Sequence, residues 1–360
     1  MPRIRPVTER RPDPGSPTHP MDIQHLIDDA LEIAVIPSFS RVGYAVRRRL
    51  YDWRPLPTDA LAGQTVLITG PTSGLGRTMA DELAELGARL ILVGRDQQKL
   101  VSVRDALVAT HGEDRFRTVV ADMASLASVR AAVTTIVETE PGLDVVIDNA
   151  GAIFPTRSDS PDGIESTFAT MVAGPFALIA GLLPMLRRTG GARVIAVTSG
   201  GQYAQRLRLD DLQSTSRPFD GTRAYAHAKR AQVVLIREWA RRIAPAQITF
   251  NAMHPGWAAT PGLAASLPGF TRLMAPILRD AHEGADTAVW LAGDPTARHD
   301  TGRLFLDRRA RPFDRIPSTR VSPDDRRRLW DTVVRLTHSA DPAPDDAPTT
   351  TDRTPTGATT

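Results

Sequence analysis

Between residues 64 and 307 the chain alternates short β-branched runs with longer amphipathic stretches, and few folds accept that rhythm. Residues 65–69, 90–93, 117–120, 145–148, 193–198, 248–253 and 303–306 read as strands. Residues 75–86, 97–109, 125–139, 164–187, 223–242 and a shorter stretch near 282–292 read as helices. Such alternation implies a parallel sheet with helices on both faces. The expected fold class is α/β, a doubly wound parallel sheet of about seven strands in a single domain.

The flanks read differently. Residues 1–20 are rich in Pro and Arg and read as a disordered tail, with no signal peptide. Residues 21–63 form an N-terminal helical extension and linker, with helices over 21–36 and 42–53 that break at Pro37. The domain spans 64–338, and 339–360 reads as a second disordered tail. In the extension Ile23, Leu26, Ile27 and Leu31 recur at helical spacing, and Arg41, Arg47, Arg48 and Arg49 follow. Two readings stay open: peripheral contact with a membrane through residues 21–54, or packing against the chain's own domain. No apolar run approaches the roughly 18 residues that would cross a bilayer. The expected location is cytoplasmic, with membrane association left open.

The chain has no cysteine, which excludes disulfides, thiol catalysis and thiolate metal sites. Its eight histidines are scattered, so no metal is expected. A net charge of +3 without a basic, aromatic-laced stripe gives no nucleic-acid partner.

The first expected strand runs into Gly70-Pro71-Thr72-Ser73-Gly74-Leu75-Gly76 and then a helix. A glycine turn there lets backbone approach a pyrophosphate and aims helix amides at it, which makes the sheet Rossmann-type. The second strand ends at Gly94-Arg95-Asp96. An acid at this place would hold a ribose 2′-hydroxyl, whereas an arginine pairs with a 2′-phosphate. Arg95 therefore favours NADP and leaves NAD open, while Asp96 reads as the cap of the next helix. Tyr225 and Lys229 stand one helical turn apart, and Lys229 is one of two lysines in an arginine-rich chain. An ammonium beside a phenol favours the phenolate and suits tyrosine to acid/base work.

In this order the motifs resemble the short-chain dehydrogenase/reductase family over residues 64–307. The resemblance implies that Gly70, Thr72, Ser73, Gly74, Leu75 and Gly76 form the cofactor loop and that Asp122 contacts adenine. It implies that Asn149-Ala150-Gly151 is the turn after the fourth strand and that Pro255, Gly256 and Thr260 hold the nicotinamide. Ser199, Tyr225 and Lys229 would be the catalytic set. Tyr225 would exchange a proton with the carbonyl or alcohol oxygen, Ser199 would hold that oxygen, and Lys229 would lower the tyrosine pKa and bind ribose. The strings Pro218–Thr222, Met253–Gly262, Glu283–Ala292 and Arg303–Arg308 resemble the dehydrogenase/reductase member 12 group, near the retinol-dehydrogenase-like branch.

Two positions depart from the family pattern. Met171 stands where an asparagine would anchor a relay water, and Asp148 stands where many relatives carry a first asparagine. A thioether is a weak acceptor. Either other groups rebuild the relay, or the chain is a cofactor-binding homologue of low turnover, with a regulatory or membrane-associated role. The run with Trp257, Leu263, Leu267, Phe270, Leu273, Met274, Ile277 and Leu278 suits a lid over a small lipophilic carbonyl or alcohol. It equally suits packing on the core or in a homo-oligomer interface.

Overall fold

The computed structural model describes residues 23–112 and 115–342. The expected tails at 1–20 and 339–360 lie outside these residues, apart from 339–342. Eight strands form one sheet in the order β3-β2-β1-β4-β5-β6-β7-β8. They are β1 Thr65–Thr69, β2 Arg89–Gly94, β3 Phe116–Val120, β4 Val145–Asp148, β5 Ala192–Val197, β6 Ile248–Met253, β7 Leu304–Leu306 and β8 Arg309–Arg311. The first seven run parallel. Alternate residues of each strand face opposite sides. Leu67, Val146, Val194 and Phe250 point into one core, and Val66, Val145, Ile195 and Met253 into the other.

The second core is covered by α4 Gly74–Glu85, α5 Gln97–His111 and α12 Ala281–Gly293, which follow β1, β2 and the loop after β6. The first core lies under α6 Leu126–Thr139, α8 Gly174–Thr189, α9 Gly221–Arg242 and α13 Pro323–Thr337. The last of these helices was not expected. It carries Asp324 to Arg328 in its first turns, yet Trp330 is fully buried against Trp239 and Phe176. The short helix α7 Ser166–Phe168 and the π turn Ala169–Ala173 lead into α8. Contrary to expectation, the run Ser166–Thr189 is long and apolar enough to cross a bilayer. It is mostly buried and packs against α6, α9 and α13, which is the position of a core helix.

The expected sheet of about seven strands is present, with a short eighth strand added at its edge. That strand is antiparallel to β7, joined through Asp307 and Arg308, both at positive φ (55° and 56°). A two-residue hairpin loop requires that backbone, usually from Asn-Gly. Here ion pairs hold non-glycine residues in it. The Asp307 carboxylate accepts from Arg47 and Arg279, and Arg308 pairs with Asp286.

The N-terminal extension forms α1 Ile23–Ile33, α2 Val35–Phe39 and α3 Arg41–Leu50. The break expected at Pro37 does not occur. Pro37 lies inside α2, and the chain turns at Ala34 and at Ser40, whose hydroxyl caps α3. The extension is also inside out. Asp28 and Arg47 are buried, whereas Ile23, Ile33 and Ile36 are exposed (71%, 84% and 57%). The Arg47 guanidinium bonds Asp28 at 2.6 Å, Asp307 at 2.7 Å and Glu32 at 2.8 Å. Arg311 reaches Asp28 at 3.0 Å, and Arg315 pairs with Glu32. Burial alone would push the Asp28 carboxyl up, but the hydrogen bonds and charges of Arg311 and Arg47 outweigh it and hold the carboxyl below its ordinary range.

Candidate active site

The expected site residues follow the carboxyl ends of six successive strands: Gly70 after β1, Arg95 after β2, Asp122 after β3, Asn149 after β4, Ser199 after β5 and Pro255 after β6. The strand order reverses between β1 and β4, and ligands of open α/β sheets bind outside such a switch point.

At that point the glycine loop and the Asn-Ala-Gly turn are tied together. Asn149 Nδ2 donates to the Thr69 carbonyl at 2.9 Å and to the Gly70 carbonyl at 3.2 Å. The Thr69 hydroxyl accepts from the Asn149 and Ala150 amides at 3.0 and 2.9 Å. Gly76 is needed for this closeness, because a Cβ there would lie 2.1 Å from the Gly70 oxygen and 2.5 Å from Asn149 Nδ2. The Ser73 side chain makes no cap bond to α4, so the first amides of that helix stay available to an anion. Thr72, Ser73 and Leu75 line the same turn.

Arg95 is exposed and has no partner among the described residues. Asp96 is occupied as expected, capping α5 by accepting from the Lys99 amide at 3.1 Å. Asp122 accepts from the Ala124 amide at 2.9 Å. Thr260 caps α10 Pro261–Ser266 and borders Gly74, whose added Cβ would meet its side chain at 3.5 Å. These groups fit a dinucleotide laid across the sheet edge: a free helix N-terminus, a free guanidinium at the end of β2, and a threonine over the loop.

Ser199 and Tyr225 come together. The phenol is half-buried; burial pushes it up to about 12, against a hydrogen bond with the Ser199 side chain that pulls it down. Lys229 is fully buried, with Nζ 5.8 Å from the centre of the Tyr225 ring. Its hydrogen bonds go elsewhere, to the Val197 carbonyl at 2.7 Å and to Gln232 Oε1 at 3.3 Å. The phenol is thus raised, opposite to the lowering expected from Lys229: burial dominates, and the lysine, although over the ring, gives its hydrogen bonds to Val197 and Gln232 and not to the phenol. Gln232 is a site residue that the sequence does not single out, whereas Thr69 opens the expected cofactor loop. The signal for Gln232 was its place three residues after Lys229 on the same helix face.

Most of the apolar run after β6 lies at the surface, with Leu278 buried at its far end. Neither α10 nor α11 Pro268–Met274 has a buried residue, and Leu273 is 79% exposed. Its root is firmer: Trp257 packs edge-on against Phe270 at 5.3 Å and against Phe39 of the extension at 5.8 Å. Gly256, at φ 69°, sits where a Cβ would lie 2.5 Å from Arg279 Nε and the Phe39 oxygen. Residues 201–221, with Arg208 and Asp220, line a cavity of about 530 Å³ together with Arg223 and His227 of α9, off the face of that helix that carries Tyr225 and Lys229.

Comparison with known proteins agrees with this fold. The family model for short chain dehydrogenase matches residues 64–268. The human dehydrogenase/reductase SDR family member 12 is 39% identical over 250 residues, covering 69% of this chain and 78% of that protein. Human retinol dehydrogenase 14 is 32% identical over 291 residues, covering 75% and 84%. A Mycobacterium paratuberculosis protein of solved structure superposes with a TM-score of 0.62 at 28% identity, over 79% of this chain and 96% of its own. The Gluconobacter frateurii L-sorbose reductase, solved with NADPH and L-sorbose, shares the fold with a TM-score of 0.57 at 22% identity, over 69% and 96%.

Proposed function

The chain belongs to the short chain dehydrogenase family of oxidoreductases acting on CH–OH groups, and on that premise we propose that it is an NADP-dependent enzyme interconverting an alcohol and a carbonyl on a lipophilic substrate. The observation that carries the reading is the convergence of Ser199, Tyr225 and Lys229 at the sheet edge where the glycine loop and Arg95 also end. A bound nicotinamide would supply or accept the hydride. The chain's own part is positioning and proton transfer. A phenol raised to about 12 holds its proton at neutral pH and can give it to a carbonyl oxygen as that oxygen becomes an alcohol. Ser199 keeps the oxygen against the phenol, and the reverse direction returns the proton to Tyr225.

Preference for NADP rests on Arg95, free while its acidic neighbour is engaged as a cap. Arg95→Ala should weaken NADPH binding by roughly ten- to a hundredfold, the loss of one charged hydrogen-bonding contact, and leave NADH nearly unchanged. Titration of both cofactors by fluorescence checks this, and an equal loss for the two would remove the basis for the preference.

Support for a lipophilic substrate comes from the exposed apolar lid rooted on Trp257 and from the retinol-dehydrogenase-like relatives. The same chemistry extends to the surface. The outer face of the extension presents Ile23, Leu26, Ile33, Ile36 and Val42 to solvent, with Arg41, Arg48 and Arg49 exposed on α3. Apolar side chains beside exposed guanidinium groups suit the interface of an anionic bilayer. The extension is not a detachable anchor, since its charged face is built into the domain through Arg47 and Asp307. The test therefore uses surface substitutions. Ile33→Glu with Ile36→Glu should abolish cosedimentation with vesicles containing phosphatidylserine while changing stability little. Undiminished binding would end the membrane reading.

A further inference from the structure

Both departures from the family pattern, Met171 and Asp148, lie in the neighbourhood of Lys229. A Cβ on Gly151 would be 3.1 Å from the Met171 sulfur and 3.6 Å from Lys229 Nζ, so thioether and ammonium border the same spot. The π turn Ala169–Ala173 brings Met171 there, fully buried. Asp148 closes β4 at 2% exposure. Its Oδ2 accepts from Gln232 Nε2 at 2.6 Å, and the other end of that amide accepts from Lys229 at 3.3 Å. Asp148 Oδ1 has no well-formed hydrogen bond among the described residues. Beside it is a cavity of about 20 Å³ bordered by Met171, Pro175, Gln232 and Ile236, mostly apolar and about the size of one water.

A buried carboxylate in such surroundings needs a counter-charge. The groups facing it are the neutral Gln232 amide, the Thr69 hydroxyl and the Lys229 ammonium. The titratable groups facing Lys229 are Asp148 from β4 and Tyr225 from its own helix, with the Val197 carbonyl from β5 and the Met171 thioether completing its surroundings. We propose that Asp148 is a positioning residue that acts as the internal counter-charge of Lys229 through the Gln232 bridge, so that this carboxylate, and not a neutral polar relay, sets the charge state of the lysine beside Tyr225.

The directions of the shifts agree. Burial pulls Lys229 down to about 8, and the charge of Asp148 opposes that pull. Burial pushes Asp148 up to about 6, against the charge of Lys229 and the hydrogen bonds of Gln232 and Thr69. Each charge favours the other, so the lysine loses its proton on the alkaline side and the carboxylate gains one on the acid side. The place of Lys229 in catalysis rests on the oxidoreductase reading, but the electrostatic coupling does not.

With two lysines in the chain, the coupling can be measured without substrate or cofactor. Full-length protein labelled with ¹³C at lysine Cε should give two signals. Lys99, whose side chain is 70% exposed, serves as the control. In the parent the Lys229 signal should titrate below the ordinary lysine range and show a smaller step at acid pH as Asp148 gains its proton. Asp148→Asn should remove that step and lower the Lys229 midpoint by about one pH unit or more, the size of effect an opposite charge at short range exerts. Gln232→Leu should move the acid step upward, because the carboxylate loses its hydrogen-bond donor. Lys99 should not change in any variant. A parent without the acid step, or a folded Asp148→Asn protein with an unmoved Lys229 midpoint, overturns the proposal. Neither result bears on turnover, which Tyr225 tests separately.

Discussion

Replacing Tyr225 by phenylalanine is expected to lower turnover by about a hundred- to ten-thousandfold, the range of general acid–base contributions, while NADPH binding stays close to that of the parent. The substitution removes one hydroxyl. The ring remains in place on α9, so the helix and the glycine loop across the cleft keep their packing. The hydroxyl is the group that Ser199 meets and the one whose proton burial retains at neutral pH. Cofactor oxidation with a carbonyl substrate measures the first quantity, and fluorescence titration the second. Loss of both together would mean that Tyr225 is structural. Lysine offers no such clean separation, because Lys229 is tied to Val197 and Gln232 and its removal would leave Asp148 buried without a counter-charge.

The largest expected effect on stability is at Arg47. This side chain is fully buried and bonds three carboxylates, those of Asp28, Glu32 and Asp307. Removing the cation leaves them short of a positive charge, and breaking a buried ion pair from one side costs about 3–5 kcal/mol. Arg47→Ala should therefore lose about that much in urea denaturation, whereas Arg48→Ala, at an exposed neighbour, should stay within about 0.5 kcal/mol. Equal costs would show that the network contributes little. The pH dependence follows with a definite sign. Asp28 and Asp307 are held below the ordinary carboxyl range in the folded chain, chiefly by Arg311 and Arg47 at the first and by Arg279 and Arg47 at the second, in each case against burial. Their contribution is present above the unfolded value of about 4 and is lost as pH falls through the folded values. That loss in acid should be smaller in Arg47→Ala.

The sheet was legible because its strands alternate between two buried faces and so read as continuous β-branched runs. The site was legible because glycines, Asn149, Ser199, Tyr225 and Lys229 occur in strand order. Three features were not. Helix α13 opens on a run of Asp and Arg, and its buried apolar residues, Leu329, Trp330 and Val333, make too short a stripe to stand out. Strand β8 reads Arg-Ala-Arg, and its turn uses Asp307-Arg308 where the usual signal is Asn-Gly. The inverted extension shows the limit of periodicity itself. Spacing identifies which face of α1 is apolar, but the side that is buried depends on Arg311, Arg315 and Asp307, which lie nearly three hundred residues away in sequence. The direction of the Tyr225 shift is hidden from the sequence for a related reason. Sequence spacing places Lys229 near the phenol but does not reveal that its hydrogen bonds point to Val197 and Gln232.

The most direct test of the oxidoreductase reading is NADPH consumption by the full-length protein with a series of aldehydes and ketones of increasing chain length, run in parallel with NADH. The account predicts stoichiometric formation of the alcohol, a kcat/KM that rises with the apolar length of the substrate, and faster turnover with NADPH than with NADH. Tight NADPH binding with no consumption across the whole series would contradict it, and would leave a cofactor-binding protein in place of an enzyme.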